Sequence, residues 1–260
     1  MAEPLLGGDF QVSQALPDAT PIINPACHKD IVGHVRETTE QEAEHALNTA
    51  NDAGTIWFAT PPSNERPSYY EPLTSWSNKL QPLLDILVRE AGKTYNNAIA
   101  EVREAVLNYY ATQVKNDFDN NTHRPLGPVV CISPWNFPLA IFSGQIAAAL
   151  AAGNTVLAKP AEQTPLIGAI AVSILHQAGI PRDVLQFLPG KGETIGAQLV
   201  GDTRVRGVMF TGSTEVAGLL QRNIAGRLDA QGRPTPLIAE TGGLNAMIVD
   251  SSALDRTSSH

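Results

Sequence analysis

Several residue groups in this chain have the types and spacing to do chemistry. The first is Pro134–Pro138, PWNFP, which ends an apolar run, Val129–Ile132. That run reads as a buried strand, and a buried strand needs no amide at its tip. Asn136 therefore asks for a chemical role, at the strand end where open α/β sheets bind ligands. The second group is Lys159 and Glu162, in KPAE. A carboxylate accepts ribose hydroxyls and repels a 2′-phosphate, so the pair favours NAD over NADP. The same two residues could be a solvated ion pair in a loop. The third is Gly190 and Gly192, in PGKGE, which could admit a ligand to the backbone or form a simple turn. The fourth is Phe210–Thr214, FTGST, at a helix start. Free N–H groups there suit a phosphate, while Ser213 or Thr214 could be a plain N-cap. The fifth is Glu240, in IAETGG, placed like a general base with an open approach. Half-buried, it would gain basicity for work on water; a structural Glu is the alternative.

Other chemistry is disfavoured. The two cysteines, Cys27 and Cys131, have no CxxC or metal-type spacing and read as core or surface residues, so no metal is expected. Their pattern suits a reducing, cytoplasmic setting. A net charge of −8 without a dominant basic cluster argues against nucleic acid and anionic membranes. No apolar run has the length of a membrane span. The start, MAEPLLGGDF, lacks the order of a signal peptide. There is no GxGxxG, so an ordinary Rossmann dehydrogenase is not supported.

The elements that must hold these residues follow from periodicity. The composition, 43% hydrophobic and 17% charged, supports a sizeable core. Residues 1–25 read as an irregular arm, and Ile31–Val35 as a short strand. Thr39 with Glu42 forms a capping box, and Ala43, Ala46, Leu47, Ala50 and Trp57 recur at helical spacing behind it. The prolines of 60–79 break the pattern. Helices return with Leu84, Leu87, Val88 and Ala91, stopped by Gly92, and with Ile99, Val102, Val106 and Tyr110. Residues 117–124 are a polar connector.

From Gly127 strand and helix alternate. Strands are expected at 128–133, 155–159, 184–188, 207–210, 237–240 and 246–249. Helices are expected at 139–152, 165–178, near 193–199 and at 215–228. Glycines 153 and 179 should stop the first two helices. The succession predicts an α/β fold, a Rossmann-like doubly wound parallel sheet with N-terminal helices. We divide the single domain into an arm with helices (1–124), a core (125–250) and a frayed tail (251–260).

Taken together, PWNFP, KPAE, FTGST and ETGG resemble the aldehyde dehydrogenase superfamily in order and approximate spacing. Within it the wording is most similar to the glutamate-γ-semialdehyde (pyrroline-5-carboxylate) dehydrogenase module of bifunctional proline-utilisation proteins. The segments that carry this are ILVREAGKT (86–94), AIAEVREAV (98–106), THRPLGPVVCISPWNFPLAIF (122–142), RGVMFTGSTEVA (206–217) and PLIAETGGLNAMIVDSSAL (236–254). The resemblance implies NAD-dependent oxidation of L-glutamate γ-semialdehyde to L-glutamate. It implies that Asn136 donates to an oxyanion and that Glu240 activates the water that hydrolyses a thioester. Lys159 and Glu162 would hold the adenosine ribose, Gly212 and Ser213 the pyrophosphate, and Val216 the adenine. Ile132, Ser133, Pro134 and Trp135 would line the cofactor channel, with Gly190 and Gly192 opposite.

Three departures qualify the resemblance. The family's nucleophilic cysteine lies in a G-Q-x-C motif beyond the base, and this chain, which runs 20 residues past Glu240, has none. Cys131 is a poor substitute. Pro67–Lys79 and the tail Asp255–His260 depart from family wording and read like local shifts of reading frame, or, for the tail, a truncation with an appended segment. The sequence thus predicts a cofactor-binding domain without its catalytic domain or dimerisation flap, with exposed faces that self-associate. A non-catalytic NAD-binding fragment and a dehydrogenase of another semialdehyde are the alternatives.

Overall fold

The run Val129–Ile132 lies at the centre of a parallel sheet, as its β-branched, two-sided apolar character predicts. A computed structural model of the chain describes residues 1–8, 19–59, 80–111, 124–228, 232–243 and 247–250, and it is these that are discussed. An antiparallel pair comes first: β1 (Thr20–Asn24) and β2 (Cys27–Val35). Helices α1 (Glu40–Ala59), α2 (Leu80–Ala91) and α3 (Tyr95–Ala111) follow. The core alternates β3 (Pro128–Ile132), α4 (Ala140–Ala151), β4 (Thr155–Lys159), α5 (Pro165–Gln177) and β5 (Leu185–Phe187). A π-helical turn (Gly192–Gly196) leads into α6 (Ala197–Gly201). Then come β6 (Gly207–Gly212), α7 (Thr214–Ile224) and β7 (Leu237–Thr241).

The sheet order is β5-β4-β3-β6-β7. The chain runs outward from β3 to β5, then returns to the other side of β3 for β6. The switch point therefore lies between β3 and β6, and open α/β sheets bind their ligands at the carboxyl ends there. Alternation along the strands divides the core. Val129, Cys131, Val156, Ala158 and Phe187 share an apolar cluster with α2, α3, α4 and α5. Val130, Leu157, Leu188 and Val208 share another with α1, α6 and Ile224 of α7. Both faces are covered, which is the doubly wound arrangement expected.

Local sequence signals work as read. Thr39 N–H donates to Glu42 Oε2 at 2.8 Å and Glu42 N–H donates to Thr39 Oγ1 at 3.2 Å, a reciprocal capping box. Arg36 clamps the same carboxylate with two bonds of 3.0 and 2.8 Å. Gly153 and Gly179 stop α4 and α5 with φ of 84° and 96°, a region that side chains with a Cβ avoid.

Other expectations need correction. Residues 1–25 are not all an irregular arm. β1 lies within them, and Leu5 exchanges two 3.0 Å backbone bonds with Phe187 at the edge of the sheet. Ile99 is exposed, and the buried face of α3 is Ala98, Glu101, Val102 and Ala105. α7 ends at Ile224, and Leu228 is an exposed residue bridged to Pro234. Met247–Val249 belong to no strand, and their apolar side chains are exposed. Pro67–Lys79, the tail, Ala246 and most of the 117–124 connector lie outside the described residues. Among the described residues, no helix is long and apolar enough to cross a membrane.

Candidate active site

Strand register sets the height of each candidate residue. Ile132 pairs with Lys159 and with Phe210, and Phe210 pairs with Ala239. Glu240 stands one residue beyond, opposite Thr211. All the singled-out groups thus sit at or just past the carboxyl ends of the sheet. Paired residues of a parallel ladder point to the same face. That separates the candidates into two groups.

The first group lies on the α1 face. Ile132 packs there, and Lys159 follows Leu157 onto it. Lys159 is buried, 3% exposed, with Nζ donating to Pro160 O at 3.0 Å. Burial lowers its pKa, and the Glu162 and Glu37 charges partly offset this. Glu162 is exposed, and its Oε1 accepts the Gly192 N–H at 2.6 Å. The KPAE and PGKGE loops therefore meet, which neither stretch of sequence reveals alone. Gly190 is buried, and a Cβ there would lie 2.8 Å from Ile195. Its glycine is required by packing. Gly212 is similar, since a Cβ would sit 2.6 Å from the Phe210 ring. Ser213 caps α7, its Oγ accepting the Val216 N–H at 3.2 Å, and Val216 is 41% exposed. The capping reading of Ser213 holds.

The second group lies toward α4. Ser133 N–H extends the ladder to Lys159 O at 3.3 Å, and the Ser133 hydroxyl is buried without a partner among the described residues. Pro134 is half-buried, while Trp135 and Asn136 are exposed in the loop that leads to α4. Glu240 is exposed too, which corrects the expectation of a half-buried base. Gln145 of α4 spans the switch point, donating to Ile132 O at 3.4 Å and to Thr211 Oγ1 at 3.1 Å. It ties the strand before Asn136 to the strand that pairs with Glu240.

Sequence reasoning missed the groups that hold this loop. Glu101 Oε1 accepts the Leu139 and Ala140 N–H groups at 2.8 and 3.2 Å. Glu90 does the same for α5, accepting from Leu166 and Ile167 at 2.6 and 2.9 Å. Each capping carboxylate comes from α2 or α3, far away in sequence. The available signal was a charged residue on an apolar stripe: Glu90 three after Leu87, and Glu101 three after Ala98.

Comparison with known proteins decides the family. The model of the aldehyde dehydrogenase family matches residues 11–259. The chain belongs to the aldehyde dehydrogenase family. Among curated relatives, the bifunctional protein PutA of Escherichia coli (strain K12) is 66% identical over 265 residues, covering 98% of this chain and 20% of PutA. The 1-pyrroline-5-carboxylate dehydrogenase of Bacillus cereus (strain B4264) is 34% identical over 263 residues, covering 96% of this chain and 50% of that enzyme. The solved structure of 1-pyrroline-5-carboxylate dehydrogenase from Thermus with bound NAD superposes with a TM-score of 0.84 at 32% identity. That match covers 93% of this chain and 49% of the Thermus chain. The chain thus spans a fifth to a half of the length of these aldehyde dehydrogenase relatives.

Proposed function

We propose that this chain supplies the cofactor-binding part of an NAD-dependent dehydrogenase that oxidises L-glutamate γ-semialdehyde, formed from pyrroline-5-carboxylate, to L-glutamate in proline catabolism. The observation that carries this reading is the contact between Glu162 and the Gly192 N–H beside buried Lys159, on the face where α7 begins. That is a cradle for a ribose and a pyrophosphate. Ile132 borders it, Ser133, Pro134 and Trp135 continue from the tip of the same strand toward α4, and Gly212, Ser213 and Val216 form its far side. The Ser133 hydroxyl, without a partner among the described residues, and the amino end of α7 fit a dinucleotide. NAD, when bound, supplies a hydride acceptor.

On the α4 side, Asn136 would donate to the oxygen of the reacting carbonyl, and Glu240 would take a proton from the hydrolytic water. Its exposure in this chain leaves it in reach of that water. Neither cysteine is placed as the nucleophile. Cys27 is exposed at the β1–β2 turn, and Cys131 is fully buried, where burial pushes its thiol far up. This favours a second reading for the chain alone, an NAD-binding fragment without turnover. We take residues 1–260 as a single domain, and what supports this is that α2 and α3 share their apolar cluster with α4 and α5.

Titration calorimetry with NAD tests the reading. Binding is expected, and Lys159→Met or Glu162→Gln should weaken it by about tenfold, the loss of one charge-assisted contact. An unchanged affinity removes those two assignments. NADH formation from the semialdehyde by the purified chain would overturn the fragment reading.

A further inference from the structure

We propose that Glu101 and Lys93 are positioning residues for Asn136, pinning the loop between β3 and α4 to the N-terminal helices. The inference rests on the reading of Asn136 as an oxyanion donor, and its test is separable from that reading.

The start of a helix leaves N–H groups without partners; a Ser or Asp at the N-cap takes that of the second or third helical residue, and a Glu or Gln at the third reaches back to that of the N-cap. Here the N-cap is Leu139, which makes no side-chain cap bond. The Leu139 and Ala140 N–H groups go instead to Glu101 Oε1, from α3. That carboxylate is buried, and its other oxygen lies 2.8 Å from Lys93 Nζ. The same ammonium stands 4.4 Å above the ring centroid of Phe137, the residue after Asn136. The upstream end of the loop is already fixed by the Ser133–Lys159 backbone bond.

A Glu or Gln at the third helical position, where α4 has Phe142, would take the Leu139 N–H from within α4 without burying a charged pair, which is costly to desolvate. What the remote pair adds is a tie. It fastens the helix start and the residue next to Asn136 to one point on another element. An oxyanion donor must be held to within about 0.5 Å before the charge develops, and an exposed loop alone does not do that. Glu90 provides an internal comparison, because it takes two N–H groups at the start of a different helix, α5.

The test uses the full chain labelled with 5-fluorotryptophan, and reads fluorine NMR and amide hydrogen exchange. Trp135 reports the loop and Trp57, which is 3% exposed, reports the core. Lys93→Met is expected to shift or broaden the Trp135 resonance and to leave that of Trp57 in place. Exchange at Leu139 and Ala140 should rise at least about tenfold, with Leu166 and Ile167 unchanged. Lys93→Arg, which keeps the cation, should restore the wild-type signature. Glu101→Gln should behave as Lys93→Met; if it does not fold, the two Lys93 variants decide. An unmoved Trp135 resonance with unchanged exchange, or equal changes at Trp57 and at Leu166, overturns the proposal. NAD binding by the unsubstituted chain, measured alongside, tests the underlying reading by itself.

Discussion

At the scale of single residues, the two buried carboxylates are governed by different neighbours. Glu101 has Lys93 beside it. Glu90 has, among the described residues, two backbone N–H groups, and burial pushes its pKa up to about 7 despite their pull in the other direction. The consequence for stability has a definite sign. Between the ordinary carboxylate range and about 7 the folded state keeps a proton that the unfolded chain has released. Stability from this group is therefore fully present at low pH and declines as pH rises through about 7, by roughly 3 kcal/mol at most. Urea unfolding at several pH values checks this. In Glu90→Gln the downward slope over that window should be absent, and an identical slope in both proteins would refute it. Asn136, Lys159, Glu162, Ser213 and Glu240 were legible in the sequence because polar groups at strand ends break an apolar rhythm. Glu90 and Glu101 were not, because a helical stripe tolerates one charge without betraying what it caps.

At the scale of elements, periodicity placed β3, β4, β6, β7 and their helices, since each buries a face of known period. It failed where partners are remote. β1 was missed because its burial depends on β2, and Leu5 pairs with Phe187 across most of the chain. Met247–Val249 had the composition of a strand, yet among the described residues they form none. The capping box was legible because both of its members are local, and it makes a firm prediction. Thr39→Ala removes the Oγ that accepts from Glu42 N–H and should cost about 1 kcal/mol. Denaturant titration reads this as a lower midpoint at unchanged slope. Gly212→Ala should be worse than its helix-edge position implies, because the new methyl meets the Phe210 ring at 2.6 Å. It should cost about 1–3 kcal/mol and weaken NAD binding, since the ring must move at the turn that leads into α7.

At the scale of the molecule, one edge of the sheet is less covered than the other by the described residues. β5 is bridged by Leu5, whereas β7 is the opposite edge, with Ile238, Ala239, Glu240 and Thr241 exposed. Ile238 lines an apolar cleft of about 250 Å³ with Leu126, Val129, Met209 and Pro236. Leu219 on α7 is 57% exposed, and Met247 and Ile248 are 89% and 92% exposed. An uncovered edge strand beside apolar side chains is a template for association. Light scattering after size exclusion should therefore show a mass that rises with protein concentration. Ile238→Lys places a charge on the edge strand and should lower that mass more than Ile248→Ser, which removes apolar area without touching the edge. The ordering decides between the two causes. If Ile248→Ser has the larger effect, association comes from apolar area alone, and a monomer at every concentration would remove the β7 edge as a driver.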